Sequence, residues 1–106
     1  MPPARYCLVY CTCPNAEAGQ RIADHLVGER LAACVNLVPG LRSTYRWKNE
    51  LCRDEEVLLL IKTRSEHFDA LKAAILKLHP YELPEIIAVP VSAGHTAYLD
   101  WIQENT

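Results

Sequence analysis

No stretch of the chain approaches the ~18 consecutive apolar residues that a membrane-spanning helix requires, so no such span is expected. Charge of one sign is missing too: 11 Lys and Arg stand against 13 Asp and Glu, for a net charge of −2. Without a basic footprint there is no case for nucleic acid, and without a block of like charge none for a membrane surface. The opening residues, Met1-Pro2-Pro3-Ala4-Arg5, lack the charged start, apolar stretch and small-residue cleavage site of a secretory signal. A cytoplasmic protein is expected, with residues 1–4 flexible. No linker, low-complexity run or repeat at a period of about 20–50 residues divides the chain, so its 106 residues are expected to form one domain.

Catalytic signatures are absent as well. There is no Gly-x-Ser-x-Gly, no Walker-type phosphate loop and no His-Glu-x-x-His. An acylphosphatase-like enzyme would need an arginine in the loop after the first strand, where this chain has Thr12-Cys13-Pro14-Asn15. No catalytic set stands behind an enzyme.

What is present is a core and a clear alternation of periods. Half the residues are hydrophobic and 23% are charged, with both signs mixed throughout, which suits a packed domain rather than disorder. The five cysteines (Cys7, Cys11, Cys13, Cys34 and Cys52) form an odd set without secretory context, so reduced thiols are expected. Taken singly, each reads first as a small buried hydrophobe.

Tyr6–Thr12 reads as a strand apolar on both faces. Asn15 is placed to cap a helix that carries Ala18, Ile22 and Leu26 on one face and runs to about Leu31. Cys34–Val38 reads as a strand interrupted by Pro39-Gly40. Beyond it, Leu41, Ser43, Tyr45 and Trp47 alternate with Arg42, Thr44, Arg46 and Lys48, a strand with one wet face. Lys48-Asn49-Glu50 predicts a hairpin turn, with Asn49 able to take a left-handed backbone. The return strand ends in the apolar run Val57–Ile61. Ser65 predicts the cap of a second helix carrying Phe68, Leu71, Ile75 and Leu78, which Pro80 stops. Ile86–Val89 reads as a last strand, its end confined by Pro90 to an edge or bulge. A short helix covers about Thr96 to Gln103.

The order β-α-β-β-α-β predicts an α+β, ferredoxin-like sandwich: a four-stranded antiparallel sheet, both helices on one face, an extended hairpin and a short C-terminal helix. An RNA-binding domain shares this order, but it needs exposed aromatics on its central strands and a basic surround. Val57–Ile61 offers neither. The second sheet face holds about six to eight apolar side chains without cover from the two helices, worth on the order of 10 kcal/mol if buried. Self-association is the expected remedy. Tyr45 and Trp47, on an arm reaching past the core, suit an interface; the alternative is packing on the hairpin base.

Four segments carry a resemblance: Glu29–Asn36, Tyr45-Arg46-Trp47, Leu60–Thr63 and His79–Ile86, with Tyr98–Trp101 after them. Together they resemble the signature stretches of the CutA family, collinear from about Tyr6 to Ile102. The resemblance implies a ferredoxin-like homotrimer whose hairpins pair across subunits. It also implies a cytoplasmic role in response to, or tolerance of, divalent metals, copper above all. Family trimers are similar to those of PII signalling proteins, an analogy of fold that transfers no ligand. Asn49 departs from the glycine that many relatives carry in the hairpin turn.

Family members with bound copper use a cysteine near the end of the first strand and a histidine ending the second helix. These positions match Cys11 and His79. Where some relatives have a further histidine, this chain has Leu78. Cys13, Cys34 and Glu82 could complete such a site, for copper or with zinc or another divalent metal as alternative. The rigid segment Pro80–Glu85 offers Tyr81, Glu82 and Glu85 as a pocket wall near Lys62, or else as a connector whose carboxylates pair with a neighbouring subunit's cations. The expectations are therefore a non-catalytic metal-response trimer, a PII-like sensor of a small molecule or anion at an inter-subunit pocket, or a structural adaptor.

Overall fold

The structure, a computed structural model, describes residues 4–106. The expected flexible start falls largely on 1–3, outside the described residues; Ala4 is half-buried. The elements are β1 (Tyr6–Cys13), α1 (Ala16–Gly28), β2 (Cys34–Trp47), β3 (Glu50–Arg64), α2 (Phe68–Leu78), β4 (Ile87–Pro90) and α3 (Thr96–Glu104). The strands form one antiparallel sheet in the order β2-β3-β1-β4. This is the expected ferredoxin-like α+β architecture.

Strand parity decides the core. Cys7, Val9, Cys11 and Cys13 of β1 share a face with Val57, Leu59 and Ile61 of β3, and Ile22 and Leu26 of α1 and Leu71 and Ile75 of α2 pack onto it. Gly19 lets α1 approach closely: a Cβ there would lie 3.1 Å from Leu37 and Val57 side-chain atoms. The opposite face carries Tyr6, Leu8 and Tyr10 with Leu58 and Leu60. One end of it has cover that the two-helix count omitted, because α3 packs Ile102 and Leu99 over Tyr6 and Ala33. The rest lies open, with Ile87 and Val89 exposed.

Several boundaries differ from expectation for identifiable reasons. Asn15 does cap α1, its side chain accepting from Ala18 N–H at 2.9 Å. The helix stops at Gly28 rather than near Leu31 because Arg30 turns left-handed (φ 57°). The Leu31 N–H then returns to the Leu26 carbonyl at 2.9 Å and Arg30 N–H to Val27 at 3.1 Å, the pairing of a Schellman closure. Ser65 does not cap α2. It opens a 3-10 turn, Ser65–His67, and α2 starts from His67 without a side-chain cap. The fourth strand is shifted by one residue and lies at the sheet edge, where Pro90 leaves no ladder bond unmade on the open side.

Pro39-Gly40 does not interrupt β2. Val38 pairs with Leu58 and Leu41 with Glu56, so the pair forms a bulge in a continuous strand, with Gly40 at φ 80°. The extra residue inverts parity along β2. It places Leu41, Ser43, Tyr45 and Trp47 on the same sheet side as Val38, together with Asp54 and Glu56 of β3. Trp47 and Glu50 close the hairpin through Lys48 and Asn49, both left-handed (φ 49° and 67°), as a two-residue turn of the primed type demands. Asn49 does the work expected of it.

Candidate functional site

Cys11 and Cys13 lie two residues apart on β1, so both thiols point into the core, and both are fully buried. His79 is the first residue past α2. Pro80 forces it into extended backbone (φ −75°, ψ 133°), which swings the imidazole beneath the end of β1. The ligand atoms of Cys11, Cys13 and His79 all fall within 4.8 Å of one another.

Both ring nitrogens of His79 are engaged. Nδ1 accepts from the Tyr81 backbone N–H at 3.1 Å, so the neutral ring carries its proton on Nε2 and donates to the Thr12 carbonyl at 2.7 Å. The Tyr81 ring lies against it, centroids 4.7 Å apart. The Cys11 thiol is pushed up by its hydrogen bond to Cys13 and by burial, while the same bond pulls Cys13 down. Cys13 is therefore the first of the pair to give up its proton.

The remaining expected ligands lie elsewhere. Cys34 pairs with Lys62 on the opposite face of the sheet, with Lys62 Nζ 3.9 Å from its sulfur. Glu82 is exposed on the segment after His79 and is not part of the thiol–imidazole group.

A second feature adjoins this cluster. Between the hairpin arm and Pro80–Glu85 runs an open groove of about 700 Å³, walled by Tyr45 and Trp47 on one side and Tyr81, Glu82 and Glu85 on the other. Thr12 and Glu56 line it as well. Tyr81 Oη donates to Glu56 Oε2 at 2.6 Å, and burial, that hydrogen bond and the Glu56 charge raise the phenol well above its ordinary range. Tyr45 Oη donates to Asp54, which pushes its phenol up to about 12. The structure thus brings Tyr81, Glu82 and Glu85 together but not Lys62. That lysine faces Leu8 across the ladder, far along β3 from the groove, and donates to Asn36. Arg64 engages Glu66 at 2.6 Å and the Thr106 carbonyl at 2.8 Å.

Sequence reasoning missed Glu56. Its signal was parity: two residues before Leu58, it belongs to the open side of β3, where it is buried against Tyr81. Thr12 was missed because its role falls to its carbonyl, which no side-chain pattern marks.

Residues 7–105 match the family model described as CutA1 divalent ion tolerance protein. The Divalent-cation tolerance protein CutA of Thermus thermophilus is 52% identical over 99 residues, 93% of this chain and 96% of that one. Its solved structure superposes with a TM-score of 0.93 at 51% identity, covering 95% and 98% of the two chains. Protein CutA 1, chloroplastic, of Oryza sativa is 46% identical over 93% of this chain but only 56% of its own length. The periplasmic divalent cation tolerance protein CutA of Archaeoglobus fulgidus superposes with a TM-score of 0.92 at 36% identity, covering 94% and 97%. Similar proteins are thus described from more than one compartment.

Proposed function

This chain belongs to the CutA1 divalent ion tolerance family, and from that premise we propose that it is a non-catalytic metal-response protein that holds a soft cation, copper above all, between Cys11, Cys13 and His79. The observation that carries this reading is the convergence of two thiols and an imidazole in one buried cluster. Thiolates select copper(I) and zinc, and imidazole accepts either. Three donors in a dry core fall one short of the four-coordinate structural zinc site, which favours copper(I). A bound cation would supply positive charge that makes thiolates tolerable in the core. Cys13 must lose its proton before Cys11, and His79 must release either Thr12 or Tyr81.

A non-catalytic role is supported by the same geometry. The thiols are enclosed in the core and the imidazole is spent on backbone groups, so none of the three is presented to a substrate surface. The five free cysteines favour a reducing compartment, which we take to be the cytoplasm. A homotrimer is supported by the open sheet face and by the aromatic arm, neither of which a single chain covers.

Titration of copper(I) and zinc into reduced protein tests the site. One copper per chain is expected, with Cys11→Ser, Cys13→Ser and His79→Ala each weakening binding more than about tenfold. Unchanged affinity in the variants removes the site. A second reading, a sensor of a small molecule, is favoured by the groove, whose volume suits a ligand. Its carboxylates fit a cation better than an anion.

A further inference from the structure

Glu56 is a carboxylate placed within the sheet ladder, opposite Leu41, and only 8% of it is exposed. Its Oε2 accepts from the Tyr81 phenol at 2.6 Å, the one hydrogen bond made to it among the described residues. The other oxygen has no protein partner. It is not sealed either, since no fully buried side-chain oxygen among the described residues lacks a partner. Glu56 lines the groove, so that oxygen is open to whatever the groove holds. A carboxylate nine-tenths buried without a cation is destabilising, and a cation entering the groove would relieve it.

The chain supplies no such cation. Among the described residues the ion pairs are Arg64–Glu66 and Lys72–Asp69, which leaves Glu56, Glu82 and Glu85 without one. Arg46 lines the groove too, but it alternates with Tyr45 along β2, so its side chain stands on the ribbon's other face. A single metal ion does not fit the spacing. The group close enough to share one ion, among the described residues, is Cys11, Cys13 and His79, so the groove's carboxylates do not converge. Spread charges suit a spread ligand. Tyr45, Trp47 and Tyr81 add aromatic rings beside them. Rings attract an ammonium and cover methylenes, whereas magnesium keeps its water and gains little from them.

We infer that the groove binds an aliphatic polyammonium. One ammonium meets Glu56, a second meets Glu82 and Glu85, and the methylenes between them lie against Tyr45 and Tyr81. This rests on the second reading above, a sensor of a small molecule, and names the class of its ligand. The volume of about 700 Å³ accommodates such a chain.

Calorimetric titration of spermidine into the reduced, assembled protein at about 0.1 M salt tests it. Saturable binding of one spermidine per groove is expected. Glu56→Gln, which keeps an acceptor for Tyr81, weakens it at least about tenfold, and so does Glu82→Gln/Glu85→Gln at two exposed positions. Cys11→Ser leaves it unchanged, which separates the groove from the thiol–imidazole cluster, and magnesium at equal concentration leaves spermidine bound. Spermidine that binds both groove variants as tightly as the wild type overturns the inference. Displacement by magnesium overturns it too, because the groove then reads charge alone. Citrate or adenosine triphosphate raising the melting temperature where spermidine does not overturns the cation and leaves the sensor reading standing. No shift with any of the three removes both.

Discussion

His79 joins the end of β1 to the start of the 80–85 segment, and through Tyr81 N–H it fixes where that tyrosine's phenol reaches Glu56. Glu56 is only 8% exposed, so its carboxylate depends on the bond that Tyr81 donates. Tyr81→Phe deletes that donor and leaves the charge short of a partner, for an expected loss of about 1.5–3 kcal/mol in denaturant unfolding. An unchanged midpoint would mean that water replaces the phenol. Alkaline titration gives a second reading. The hydrogen bond that Tyr45 donates to Asp54 pushes its phenol up to about 12, above the value of about 10 expected of an unfolded tyrosine. Its contribution is complete below pH 10 and is lost as pH rises through 12. Absorbance at alkaline pH should show late tyrosine ionisation from both Tyr45 and Tyr81, and Tyr45→Phe should remove its own share of that amplitude and leave the Tyr81 share. Much of this site was legible from parity, which put Cys11 and Cys13 on one face. The approach of His79 was not, because it depends on how far Pro80 turns the chain. Lys62 fails as a groove residue for a related reason. Pairing with Leu8, four positions from Thr12, puts it about 13 Å along the sheet from the groove, a separation that alternation alone does not reveal.

At the scale of elements, the helix ends show which signals are local. Asn15 caps α1 as its side-chain chemistry requires, a bond made within three residues. The end of α1 was less legible because the left-handed residue that closes it is Arg30, where glycine is the usual signal. A side chain in that conformation costs roughly 1 kcal/mol. Arg30→Gly relieves this strain but loosens the unfolded chain, so a net gain of up to about 1 kcal/mol is expected. Thermal unfolding at a fixed protein concentration measures it; a lower melting temperature would show that the arginine side chain supplies more than its strain removes. The bulge in β2 is the reverse case. Pro39-Gly40 read as an interruption, yet an edge strand accepts both a proline and an extra residue, and continuity then follows from the long partner β3. That one bulge sets the face of every arm residue after it. The alternation beyond Leu41 was visible in sequence, whereas the side to which it pointed required the register.

For the whole molecule, cover is the governing quantity. α3 shields the Tyr6 end of the second sheet face, but Ile87 is 55% exposed and Val89 40%, and the arm carries Tyr45 and Trp47 away from the main core. The principal extents of 43 × 31 × 24 Å reflect an arm that a single chain leaves projecting. Within the chain, the Trp47 ring is faced by Lys48 Nζ at 5.7 Å, a contact too weak to account for a large aromatic placed there. If that ring anchors a sister copy, Trp47→Ala costs at least about 2 kcal/mol of association, roughly a 30-fold rise in the dissociation constant. The variant should unfold from single chains at the same denaturant midpoint as dissociated wild type, because Trp47 lies outside both buried clusters. Sedimentation at graded dilution separates these effects. A Trp47→Ala profile that overlays the wild type would place the indole on solvent, and the open sheet face alone would then have to hold the copies together.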